Sequence, residues 1–317
     1  MPTLTHILSA SLRGIVSFTR YGDDGPLREC SLNQRNVIHT RCGDLVPRFS
    51  PPDIRSKSRS SVTFFPDGAL RSVYLDEQTT ILTPIGPLPA ERVTFFRNGE
   101  VDSVFPLDGQ ISYSWSEDDE RALAKPLSFE FAFGTVTAAV SGIRFYETGQ
   151  IKSVLLWPGD TMTLQTPIGP METRVGFRIY PSGELESLEP VEPITLDTPI
   201  GPVVAYDVDA LGMNADENSV RFDRAGDLRQ VSTSGDAIVH SPQLGDKRLS
   251  SRTRLALTHD APVRLPITIA FADDTVTFDN GKVSLEVPIP GSEFMVLHDF
   301  AVNDCNASCD SCTSVCG

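Results

Sequence analysis

SVTFFPDGALRSVYLDEQTTILTPIGPLPA, residues 61–90, is two motifs in tandem, and both return downstream with their internal spacing kept. The first, VTFFPDGALRSV, recurs as VTFFRNGEVDSV at 93–104, IRFYETGQIKSV at 143–154, FRIYPSGELESL at 177–188 and, more loosely, VRFDRAGDLRQV at 220–231. The second, TPIGP, begins at Thr83, Thr166 and Thr198, which sets its glycine 18, 20 and 18 residues after the glycine of the preceding first motif. Self-similarity of this kind marks a repeat architecture, in which each unit buries its apolar face only against its neighbours.

Each first motif reads as a β-hairpin, two short alternating runs around Asp67-Gly68, Asn98-Gly99, Thr148-Gly149, Ser182-Gly183 or Ala225-Gly226. Alternation puts Val62, Phe64 and Leu70 on one face with their counterparts Val93, Phe95, Val101 and Ile143, Phe145, Ile151. Thr63 and Arg71 share the other face with Arg144, Lys152, Arg178 and Glu186, a set that changes charge from copy to copy and is expected to be solvated. Ser72, Ser103, Ser153 and Ser187 each follow the hairpin glycine by four residues; they read as small residues at a close stacking position with hydroxyls satisfied by backbone, in preference to a binding row. In TPIGP, Pro84 sets φ, Gly86 closes the turn, and Pro87, lacking an N–H, is expected to stop the ladder.

The F-[FY]-x-x-G-x-[LIV]-x-S-[VL] hairpins resemble the MORN-variant repeats of bacterial antitoxin-like proteins across residues 12–245. The TPIGP corner between hairpins departs from that family's pattern. The resemblance implies a β-repeat scaffold that mediates interactions, and it brings no catalytic residue with it.

The expected fold is mainly β: stacked β-hairpin repeats forming an elongated sheet or solenoid-like scaffold, with one short helical insertion. Residues 1–48 read as a degenerate first repeat, because aligning Gly25 with Gly68 places Gly43 on Gly86, Cys30 on Val73 and Cys42 on Ile85. Both cysteines therefore read as reduced core residues ahead of a disulfide or metal pair. Residues 49–245 carry the hairpin repeats with TPIGP corners, entered through a Pro-, Ser- and Arg-rich loop at 49–60. Between the third and fourth copies, Ser116 followed by Glu117, Asp118, Asp119 and Glu120 predicts an N-capped, acid-led helix whose first turn is solvated and holds no cation. Residues 246–300 form a terminal β cap, with a basic bridging segment at 246–258 and a hairpin around Asn280-Gly281.

Residues 301–317 are a cysteine-rich tail. Cys305, Cys309, Cys312 and Cys316 are spaced C-x3-C-x2-C-x3-C among turn-forming residues, a pattern that suits a metal site, Zn2+ or an iron–sulfur cluster. Dithiol redox chemistry, and a tail that is itself modified or cleaved, remain alternatives. The first three match the triad of radical S-adenosylmethionine enzymes, but no βα alternation accompanies it. Histidines 6, 39, 240, 259 and 298 are scattered, and the dipeptides His259-Asp260 and His298-Asp299 read as satisfied pairs. No nucleophile elbow, phosphate loop or zinc-protease motif is present, so no catalytic or cofactor-binding residue is assigned.

A net charge of −15 argues against nucleic acid and anionic membrane, both bound by clustered Lys and Arg. The N-terminus carries no signal-like apolar run and no span approaches 18 apolar residues, which predicts a soluble, cytoplasmic protein. The expectation is a non-enzymatic scaffold with a protein partner, or a redox accessory acting through the cysteine tail.

Overall fold

The computed structural model describes residues 11–208, 210, 218–255 and 262–297. It is mainly β with one short helix, and it divides into two compact units, 1–192 with 210–229 and 193–209 with 230–317. In the first unit one antiparallel sheet takes its strands in chain order: Ile15–Arg20, Leu27–Leu32, Val62–Phe64, Leu70–Thr83, Gly86–Phe95, Val101–Phe105, Val140–Phe145, Ile151–Leu156, Gly169–Ile179, Leu185–Pro190 and Val220–Phe222. Neighbours in sequence are neighbours in space, as a hairpin repeat requires.

The five hairpin turns are built alike. Gly68 donates to Phe65 O and Phe65 to Ala69 O, and the same pair of bonds forms at Phe96–Glu100, Tyr146–Gln150, Tyr180–Glu184 and Asp223–Asp227. The glycine holds φ between 83° and 103°, a conformation that costs a residue with a Cβ. One extra residue then follows in the returning strand: Val62 pairs with Val73 and Thr63 with Ser72, but Phe64 pairs with Leu70, which leaves Arg71 as a bulge. The bulge lets Leu70 and Val73 both turn inward, and it recurs at Asp102, Lys152 and Glu186.

The inward face is the core. Phe64, Phe95, Phe145, Phe177 and Phe222 are each at most 3 % exposed. It is roofed by arms, short two-stranded ribbons inserted between hairpins. Leu70–Thr83 and Gly86–Phe95 pair along their length, irregular between Tyr74 and Thr79, so that Ile81, Leu88 and Ala90 of the distal part are buried. Ile38–Thr40 with Gly43–Leu45 and Met162–Thr166 with Gly169–Thr173 form equivalent arms. The inserted segment supplies another, Leu127–Phe131 with Gly134–Ala138, whose Phe131 and Phe133 meet Phe177 edge-on at 5.6 and 5.9 Å. Before it comes the predicted helix, Glu117–Leu123, capped reciprocally by Ser116 and Asp119.

Each TPIGP motif is an arm tip. Thr83 donates its hydroxyl to Gly86 O at 2.7 Å, and Thr40, Thr166 and Thr198 do the same to Gly43, Gly169 and Gly201. The ladder does not stop at Pro87, which pairs with Leu82 inside the ribbon. The Leu82 amide turns to Cys42 O of the adjoining arm, so Pro87 sits where no N–H is needed. The tips also lock onto turns two hairpins further on. Pro84 lies 2.8 Å from where a Cβ on Gly149 would stand, and Pro167 2.9 Å from one on Gly226. In the first copy Arg41 replaces that proline. It forms an ion pair with Glu100, nothing approaches Gly99, and a pocket of about 490 Å3 opens between Ile38–Arg41 and Gly68, Phe95 and Gly99.

In the second unit, residues 230–233 pair with Ile267–Phe271, followed by Thr275–Asp279 and Ser284–Pro288. The Asn280-Gly281 hairpin is present. The segment from 246, expected to be a basic bridge, is instead strand: Gly245–Leu249 closes a ribbon with Asp236–Ser241, and Arg252–Leu255 pairs with Pro262–Leu265. Apolar alternation does not announce these strands, because Gly245–Leu249 is exposed at every residue but Leu249 and the segment carries Lys247, Arg248, Arg252 and Arg254, of which Arg248 pairs with buried Asp236 at 2.7 Å.

The tip contacts separate two glycines of similar φ, 84° at Gly99 and 95° at Gly149. Gly99→Ala is expected to cost only its backbone strain, about 1–2 kcal/mol. Gly149→Ala adds overpacking against Pro84, about 1–3 kcal/mol more. Urea midpoints of the two variants, measured side by side, check the order.

Candidate functional site

The sheet's outer face carries the row Glu29, Thr63, Ser72, Thr94, Ser103, Arg144, Ser153, Arg178, Ser187 and Arg221, each paired in register with the next. The serines are not satisfied by backbone as expected. Ser72 shares a hydrogen bond with Thr63 at 2.7 Å, Ser103 donates to Asp102, Ser187 accepts from Asn218, and the Ser153 hydroxyl has no partner among the described residues. Nor is the row uniformly solvated. Ser103, Ser153 and Ser187 are buried because long side chains lie beside them on neighbouring strands. Glu186 is 3 % exposed and bridges Arg178, at 2.6 Å, to Arg221.

Over the first three hairpins this face becomes a groove of about 550 Å3, lined by Arg28, Arg71, Arg92 and Arg97 with Glu29 and Asp102, and by Thr63, Ser72, Thr94, Phe65 and Phe96. Aromatic rings hold the guanidiniums. Arg71 and Arg97 lie 5.8 and 5.3 Å from the Phe65 centroid, Arg28 lies 5.9 Å from Tyr21, and Arg92 lies 5.0 Å from Phe105. Arg97 makes one exposed ion pair with Asp67 at 3.5 Å, whereas Arg28 and Arg71 make none among the described residues. Burial depresses the Arg92 guanidinium below its ordinary value; Asp108 opposes this, and Arg59 and Arg71 add to it. Positive charge is therefore crowded here, in a chain of net charge −15.

The loop 49–60 borders this region and is pinned by charge. Arg55 donates to Glu91 at 2.7 and 2.8 Å and to Glu120 at 2.5 and 2.6 Å. Glu120 also accepts from Trp115 Nε1 at 2.7 Å and the Gly109 amide at 2.9 Å. The acidic first turn is thus not wholly solvated. Its last member is 3 % exposed and ties the helix to the loop, a role invisible locally because Arg55 lies 65 residues away. Beside it, Asp108 takes Lys57 at 2.5 Å and Arg59 at 3.5 Å.

The remaining candidates resolve simply. Cys30 and Cys42 are free and buried, as expected of core cysteines, although Cys42 is covered where its counterpart Ile85 is 40 % exposed. Burial, with Glu29 adding, pushes the Cys30 thiol up to about 11, which keeps it unreactive. His39 pairs with Asp44 and His240 with Asp246 across exposed arm ribbons. His259, His298 and the tail cysteines Cys305, Cys309, Cys312 and Cys316 lie outside the described residues, among which no three His, Cys, Asp or Glu side chains assemble a metal set. No described helix is long and apolar enough to cross a membrane.

The groove arginines were missed because their face was read as freely variable. The available signal was narrow: GPLR and GALR place arginine at the same hairpin position in the first two copies, before Asp102, Lys152 and Glu186 take it over. No family model, curated protein or solved structure matches this chain.

Burial pushes the Glu120 carboxyl up, but Arg55, Trp115 and Gly109 outweigh it and hold the group below the ordinary glutamate value. A depressed folded pKa gives stability that is present above the unfolded value, about 4.3, and lost as pH falls through the folded one. Glu120→Gln is expected to cost about 3–5 kcal/mol at neutral pH. It should also flatten the acid limb of the stability profile, as thermal melts at stepped pH will show.

Proposed function

We propose that this chain is a non-enzymatic β-repeat scaffold that binds another protein on the outer face of its hairpin sheet, and that Cys305, Cys309, Cys312 and Cys316 hold Zn2+ or an iron–sulfur cluster. The observation that carries the docking reading is the groove itself: held guanidiniums, hydroxyls and aromatic side chains converge on a face that no arm roofs among the described residues, whereas the inner face is consumed by packing. The likeness of the hairpins to MORN-variant repeats supports the same interaction role. The tail reading rests on four closely spaced soft ligands.

In-cell cross-linking followed by anaerobic purification tests both parts. The intact chain should carry a discrete partner and about one equivalent of metal. Thr63→Trp with Thr94→Trp, which fills the face without altering its charge, should lose the partner and keep the metal. A truncation ending at Asn303 should lose the metal. A partner retained by the filled face sinks the docking reading, and metal-free intact protein with free thiols sinks the tail reading.

A further inference from the structure

The groove's ligand follows from its chemistry, given the reading of the outer face as a docking surface. A guanidinium stacked on an aromatic ring is fixed in plane, while its N–H edges stay free to meet a carboxylate in a two-pronged bond. Four guanidiniums line the groove with two carboxylates, and Arg97 and Arg92 have further acidic neighbours in Asp67 at 3.5 Å and Asp108 at 3.9 Å, so the positive surplus is small and rests on Arg28 and Arg71, unlike the long basic track that a nucleic acid needs. The two without carboxylate partners among the described residues, Arg28 and Arg71, are exposed and occupy the same hairpin position. Their strands, Leu27–Leu32 and Leu70–Thr83, are separated by Val62–Phe64 alone, so the two backbones stand about 10 Å apart. Phe65 and Phe96 give the floor apolar surface.

We infer that this groove binds an acidic, extended peptide segment of a partner protein, with two carboxylate side chains about 9 Å apart seated on Arg28 and Arg71. That spacing is one turn of a polyproline-type helix, in which every third side chain points the same way. A Glu-x-x-Glu segment in this conformation presents both carboxylates to the sheet and needs little ordering on binding. Both anchors are exposed, and neither makes an ion pair among the described residues.

The test uses a fluorescein-labelled (Glu-Pro-Pro)3 peptide and the full-length protein in anisotropy titrations. Saturable binding is expected, weakened by raised salt, absent with (Gln-Pro-Pro)3, and reduced about tenfold or more in Arg28→Ala with Arg71→Ala. Unchanged melting of that variant shows that the loss is not one of folding. No binding of the peptide, or equal binding by the variant, overturns the inference. So does displacement by millimolar inorganic phosphate, or preference for a single-stranded oligonucleotide. Partner capture that still depends on the outer face while the peptide fails would overturn the ligand class and leave the docking reading standing.

Discussion

Everything in the first unit depends on covering one apolar face. A meander of hairpins exposes a row of Phe and Val side chains that the sheet cannot bury by itself, and fully burying each is worth about 1.5–3 kcal/mol. The chain solves this with arms inserted between hairpins, whose Ile81, Leu88, Val136, Leu164 and Met171 are themselves buried and whose Phe131 and Phe133 meet Phe177. The corner motif is the means. Threonine and glycine tighten the tip, and proline fills the space above a glycine two hairpins on. Where Arg41 stands instead of proline, the seal fails and a pocket opens.

With one face committed to packing, the other is left to carry charge. Along most of its length the outer face satisfies itself, through Glu186 with Arg178 and Arg221 and through Asp223 with Arg229 at 2.9 Å. Over the first three hairpins four guanidiniums line the groove with two carboxylates. Tyrosines at the turn end add a second link between copies: Tyr21, Tyr146 and Tyr180 donate to carbonyls of Phe64, Ile179 and Phe222 in the next hairpin, while Phe65 and Phe96 at that position line the groove instead. The same hairpin position thus serves cohesion in some copies and surface chemistry in others.

What was legible in the sequence is what local chemistry decides. Glycine position sets the hairpins, Ser116 sets the helix start, and alternation sets Phe64 and Phe145 inward. What was not legible arises where register brings distant residues together. Arg28, Arg71, Arg92 and Arg97 become neighbours only through strand order, and Glu120 becomes buried only because Arg55 arrives from an apparently irregular loop. The continuation of the ladder through Pro87 also depended on a neighbour, since its acceptability rests on where the Leu82 amide points. The Lys- and Arg-rich strands at 245–255 were hidden because their charges mimic a linker.

The most direct measurement is hydrogen exchange on the intact chain with and without the partner isolated from native cells. The account predicts that added protection falls on the outer-face segments 62–64, 70–75 and 92–97, with the arm tips at 83–86 and 166–169 unchanged. Protection confined to those tips, with the groove segments exchanging as in the free protein, would contradict it.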